Sequence, residues 1–151
     1  MAKYRLSKSV TELLDKQLKT IEIRRKNASQ FSDDAGSYGE IDKIIDLYEN
    51  KLLDLVEKSV RLDDEDDKLP LVLIGSEVNV LDLDSGETTS FQIVNTSFFE
   101  LDENHVTFVS PIGKALLFKK VGDKVSVNIP IGVINYEIKG ITLHNEVDFN
   151  D

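Results

Sequence analysis

The hydrophobic period of this chain changes once, and the change falls at Pro70. Before it, apolar residues recur every three or four positions: Val10, Leu14, Leu18 and Ile21, with Leu13 alongside, then Ile41, Ile44, Ile45, Tyr48, Leu52, Leu55, Val56 and Val60. That spacing is the buried face of an amphipathic α-helix, written twice. After Pro70 the apolar residues come in short β-rich runs, Leu71–Ile74, Val78–Leu83, Thr88–Val94 and Val106–Val109, separated by Gly, Asp and Ser. A period of 3.6 and a period of 2 cannot share one element. The chain is therefore predicted to be α+β, with helices first and strands after.

Ser7 or Ser9 can cap the first helix, which should run to about Ser29. The segment SQFSDDAGSYG, Ser29–Gly39, has the composition of a turn. A second helix should follow from Glu40 to about Leu62. Two such helices joined by a polar turn make an antiparallel hairpin, a short coiled coil over residues 1–62. Each helix of roughly 23 residues would be about 35 Å long. A hairpin buries only one stripe per helix, so alone it should be marginal and should lean on the second domain.

Five consecutive acids, Asp63–Asp67, then open a stretch too polar to bury, and residues 63–70 read as a linker. Residues 71–143 make the strand-rich domain. Asp84-Ser85-Gly86 is a hairpin turn. Ser110 is a good N-cap and Pro111 suits the first helical position, so one short helix should carry Ile112 to Phe118. Val121-Gly122-Asp123 turns the chain into Lys124–Ile129, and Pro130-Ile131-Gly132 joins that strand to Val133–Ile141. Residues 144–151 read as a polar tail.

Charge narrows the function. The net −10 argues against binding duplex DNA, which needs a basic footprint. Residues 1–62 are near balance, with 12 Lys/Arg against 11 Asp/Glu, whereas 69–151 hold 5 Lys against 12 Asp/Glu. An acidic domain suits a protein partner with a basic surface, although acids also simply keep a protein in solution. There is no Cys for a disulfide or thiolate site. The amino terminus has no apolar core of signal-peptide length and no apolar run could span a bilayer, so a cytoplasmic protein is expected, monomeric by default. His105 and His144 lack neighbouring ligands, and no phosphate-binding or hydrolase motif is present.

The run VSPIGKALLFKKVGDKVSVNIPIGVINYEIKGI, Val109–Ile141, closely resembles the C-terminal domain of the Gre family of bacterial transcription elongation factors. There a Ser-Pro-Ile/Leu start, a small-residue helix and a Gly-Asp turn recur in this order. The resemblance is strong over Leu71–Ile141 and weaker over the hairpin. It implies an FKBP-like fold for the sheet domain and RNA polymerase as partner, met at the secondary channel by that domain. In the family's cleavage factors, acids at the coiled-coil tip help hold a second magnesium ion while the polymerase hydrolyses backtracked RNA.

By that resemblance Asp33, Asp34 and Glu40, with Asp42 close by, are candidate tip acids for a magnesium ion shared with the polymerase; no cofactor of the chain's own is expected. Loop solvation and the helix dipole explain the same acids without a metal. Ser110, Pro111, Ile112 and Gly113 are candidate polymerase contacts, as are Asp82 and Asp84. Gly113 is unusual, because glycine inside a helix costs about 1 kcal/mol against alanine. A close backbone approach, within the domain or by a partner, would account for it. Beside the cleavage factors each helix looks about three turns short, a loss of roughly 15 Å of reach that resembles the Rnk-like members. The leading expectation is a polymerase-binding protein with no enzymatic role that modulates elongation or initiation. The alternatives are a cleavage factor acting through the tip acids and, remotely, a peptidyl-prolyl isomerase.

Overall fold

The computed structural model describes residues 4–31, 39–63, 66–95 and 104–144. They fall into two units, one running to Asp66 and the other covering Asp67–Asn145.

The first unit is built on α1 (Lys8–Phe31) and α2 (Glu40–Glu57). Ser7 caps α1: its Oγ accepts from the Val10 N–H at 3.1 Å, and its carbonyl accepts from the Thr11 N–H and hydroxyl. The helices are antiparallel, since residues late in α1 meet residues early in α2. Arg24 pairs with Asp42 at 3.3 Å, and Gln17 meets Tyr48 further from the helix junction. Val10, Leu13, Leu14 and Ile21 are buried, with Ile45, Tyr48, Leu52 and Leu55. This is the expected stripe, trimmed at its ends. Ile41 and Val60 are exposed. Within the stripe lies a polar pair, the Tyr48 hydroxyl donating to Gln17 Oε1 at 2.6 Å, both residues fully buried.

The second helix is shorter than predicted. It stops at Glu57, and Ser59–Arg61 forms β2, parallel to β1 (Tyr4–Leu6). Two three-residue strands carry too little pattern to be seen in a sequence, and the position of Val60 also fits the helical spacing. The acidic run is anchored at its end: Asp66 accepts from the Ser7 hydroxyl at 2.5 Å, and Leu62 N–H donates to Leu6.

The second unit is a five-stranded sheet with one helix. Its strands are β3 (Ser76–Asp82), β4 (Thr88–Val94), β5 (His105–Thr107), β6 (Lys124–Ile129) and β7 (Gly132–Leu143), ordered β5-β4-β3-β7-β6. All pairings are antiparallel except β4 with β5. Alternation decides the buried face: Val78, Val80, Phe91, Ile93, Val125, Val127, Tyr136 and Ile138 point inward. Phe91 and Tyr136 meet edge to face at 5.7 Å. The helix α3 (Pro111–Leu116) packs against β6 and β5 and buries Leu116.

Leu71–Ile74 is not the strand its composition predicts. All four residues are buried, in an irregular segment. Val72 exchanges backbone hydrogen bonds with Phe118 and Lys119, and the Ser76 hydroxyl donates to the Leu73 carbonyl. A short apolar run buried on every side has no period to distinguish strand from core loop.

Candidate functional site

The start of α3 is set by one carbonyl. Thr107 O accepts from the Ser110 N–H at 3.1 Å and from its hydroxyl at 2.8 Å. Ser110 Oγ in turn accepts from the Gly113 N–H at 3.1 Å, with Pro111 in the first turn, as the sequence predicts. Gly113 sits against the same carbonyl: a Cβ there would lie 2.0 Å from Thr107 O and 3.1 Å from the Phe108 Cα. The close approach that its sequence position demands is therefore inside the domain. Gly113 is buried and offers no surface, while Pro111 is exposed and Ser110 and Ile112 are half-buried.

After α3 the chain turns through Phe118, whose φ of 68° is positive. A bulky residue there costs about 1 kcal/mol or more. Two backbone bonds hold it, Phe118 N–H to Val72 O and Val72 N–H to Lys119 O, both 2.9 Å. Lys119, Lys120 and Val121 then project as an exposed turn, closed by Asp123, whose Oδ2 accepts from the Lys120 N–H at 2.8 Å. Averaging charge over the whole domain hides this segment. Of the five lysines between residues 69 and 151, Lys114, Lys119, Lys120 and Lys124 all lie within eleven residues.

Asp82 and Asp84 belong elsewhere, to the β3–β4 turn over β7. Asp82 Oδ1 accepts from the N–H groups of Asp84 and Ser85, at 2.9 and 3.2 Å, and these bonds hold its carboxyl below the usual carboxylate range. Asp82 is thus occupied in shaping its own turn. Tyr136, opposite it, is pushed up by burial and by the Asp82 charge. No described hydrogen bond joins this turn to the start of α3.

Asp33 and Asp34 lie outside the described residues. Glu40 opens α2. Asp42 is engaged locally, accepting from the Gly39 N–H at 3.1 Å and pairing with Arg24. Among the described residues no group of three or more His, Asp or Glu could hold a metal ion, and no helix is long and apolar enough to cross a membrane.

A helical hairpin followed by a mostly antiparallel sheet unit with one capped helix defines the class of fold. Comparison with known proteins makes this specific. Residues 66–143 match the family model of the transcription elongation factor GreA/GreB C-terminal domain. The chain is 36% identical to the transcription elongation factor GreA of Alkaliphilus oremlandii over 132 positions, covering 80% of this chain and 83% of that one. GreA of Thermoanaerobacter pseudethanolicus is 46% identical over 77 residues, 51% of this chain and 49% of its own. In fold it is similar to a GreA/GreB elongation factor from Nitrosomonas europaea, with a TM-score of 0.53 at 20% identity over 93% of this chain and 99% of that one. The chain belongs to the GreA/GreB family of transcription elongation factors.

Membership corrects one expectation, that of a protein with no enzymatic role. GreA homologues are transcript-cleavage stimulating factors that raise the endonuclease activity of RNA polymerase without being enzymes of the usual kind.

Proposed function

We propose that this chain binds RNA polymerase in the cytoplasm through its sheet domain, at the secondary channel, and stimulates cleavage of backtracked transcripts through the tip of its helical arm. The observation that carries the reading is the family match over residues 66–143, joined to a preserved antiparallel arm. The arm supports it physically. At 1.5 Å per residue the 24 residues of α1 span about 36 Å, and the ion pairs of Arg24 and Arg25 with Asp42, Asp46 and Glu49 tie the helices together toward the tip. A mostly antiparallel five-stranded sheet carrying one short helix supports the FKBP-like reading of the docking domain; an experimental structure superposed on an FKBP would test it.

Asp33 and Asp34 are the residues proposed to act. Two adjacent carboxylates offer the hard oxygen ligands that magnesium takes, and the ion would help activate the attacking water. The chain's part is to deliver those carboxylates; Glu40 opens the next helix close by in sequence, whereas Asp42 is already committed to Gly39 and Arg24. The test is a cleavage assay on a stalled, backtracked polymerase. Wild type should shorten the transcript, and Asp33→Asn with Asp34→Asn should cut the rate at least about tenfold, a loss worth roughly 1.4 kcal/mol in the barrier, while binding stays within about twofold. A wild type that binds yet leaves the transcript intact would favour a short-arm regulator instead.

A further inference from the structure

The acidic sheet domain carries a local reversal of charge, and it falls on the exposed turn that follows α3. Four of the five lysines between residues 69 and 151 lie from Lys114 to Lys124, around α3 and the turn that follows it. Lys119 and Lys120 are exposed and take part in no ion pair among the described residues; between them and the next turn Val121 is 57% exposed. The backbone beneath is fixed on both sides. Val72 clamps Phe118 and Lys119, Gly122 N–H donates to Ile138 at 2.8 Å, and Ile138 N–H donates to Asp123 at 2.9 Å. Phe118 is the sole non-glycine residue with positive φ among the described residues, and its conformation aims Lys119–Val121 outward.

We infer that Lys119, Lys120 and Val121, flanked by Lys114 and Lys124, form a cationic docking edge that receives an acidic surface of RNA polymerase. The inference rests on the polymerase reading above and deepens it. It assigns the electrostatic contact to the lysine turn and not to the acids that dominate the domain. Two exposed lysines next to an exposed valine in the chain match a protein patch in which carboxylates adjoin an apolar residue, with the ammonium groups steering the approach. Nucleic acid is the poorer fit, because a phosphate backbone offers no apolar side chain for the exposed Val121 to pack against.

The experiment titrates the full chain against core polymerase free of nucleic acid, across a range of salt. Wild-type affinity should fall as salt rises. Lys119→Glu with Lys120→Glu should weaken binding at least tenfold at low salt, and Lys119→Gln with Lys120→Gln should flatten the salt dependence. Lys139→Gln, which changes a lysine of the same unit outside the stretch, should bind as wild type does. Both replaced side chains are exposed and only their backbones are bonded, so an unchanged thermal melt verifies folding. If the Gln pair keeps the wild-type salt slope while Asp84→Asn flattens it, the acids make the contact and the inference is overturned. A loss confined to polymerase carrying RNA and DNA also overturns it, in favour of a nucleic-acid contact. A wild type that does not bind core polymerase sinks the polymerase reading itself, and this inference with it.

Discussion

The arm and the sheet unit solve the same problem, burial of apolar surface, with opposite economies. The arm has one stripe per helix, with a polar pair, Gln17 and Tyr48, buried within it. The sheet unit is knitted from ladders between distant residues, with β3 held on both edges by β4 and β7. In the arm, interactions are spread along a line and each is replaceable. In the sheet unit several converge on one atom, as three groups do on the Thr107 carbonyl. Damage should therefore be graded in the arm and abrupt in the sheet.

One substitution made in both places gives the largest contrast. Gly113→Ala puts a methyl 2.0 Å from a backbone oxygen that cannot retreat without losing the Ser110 cap. It should cost about 3 kcal/mol or more, read as a fall in the urea midpoint of the sheet unit. Gly39→Ala, at the start of α2, meets nothing within 4 Å and should change stability by less than about 1 kcal/mol. Equal effects would erase the proposed difference between the regions.

The next test turns to the arm. Tyr48→Phe removes the hydroxyl that donates to the buried Gln17 Oε1, at about 1–3 kcal/mol. Adding Gln17→Leu should recover part of that loss, because the oxygen that had accepted from Tyr48 is then gone as well. Helical circular dichroism followed through thermal unfolding reads both. A double variant less stable than Tyr48→Phe alone would show that Gln17 works through other contacts.

These contrasts also explain what was legible in the sequence. The arm and the strands 88–94 and 124–129 were readable because each repeats a period over several residues. Leu71–Ile74 defeated the same reading by being buried all round, and Ser59–Arg61 by being three residues long. Around the candidate site, local chemistry was visible: Ser110 as cap, Pro111 after it, and Gly113 as a position needing close approach. Which neighbour approaches Gly113 depends on a β5–α3 geometry that no spacing encodes. The lysine turn was visible as residues and invisible as a feature, since its charge vanished into the domain's average.

A smaller effect belongs to the base of the arm. Ser7→Ala deletes the cap of α1 and the hydroxyl bond to Asp66 O, and should cost about 1 kcal/mol. Amide exchange at Val10 should quicken with it, while exchange at Val78 and Ile138 in the sheet stays unchanged. Equal acceleration in both units would mean that they unfold together and that the comparison is drawn too sharply.

The smallest effect, and the one with a sign to check, is the acid response of the β3–β4 turn. The backbone N–H groups of Asp84 and Ser85 favour the charged form of Asp82, so its folded pKa lies below its unfolded value, which is about 3.9 for an ordinary aspartate. A depressed carboxylate contributes stability that is fully present above the unfolded pKa. That contribution is lost as pH falls through the folded pKa. Asp82→Asn keeps an oxygen to accept from both N–H groups but has no charge to titrate. The wild type should therefore be slightly the more stable near neutrality, and the two curves should converge below about pH 4, with the variant flatter across that window. Superimposable pH curves would show that the turn is held by its backbone alone, by Gly86 N–H to Asp82 O and Asp82 N–H to Glu87 O, and that the Asp82 charge adds nothing.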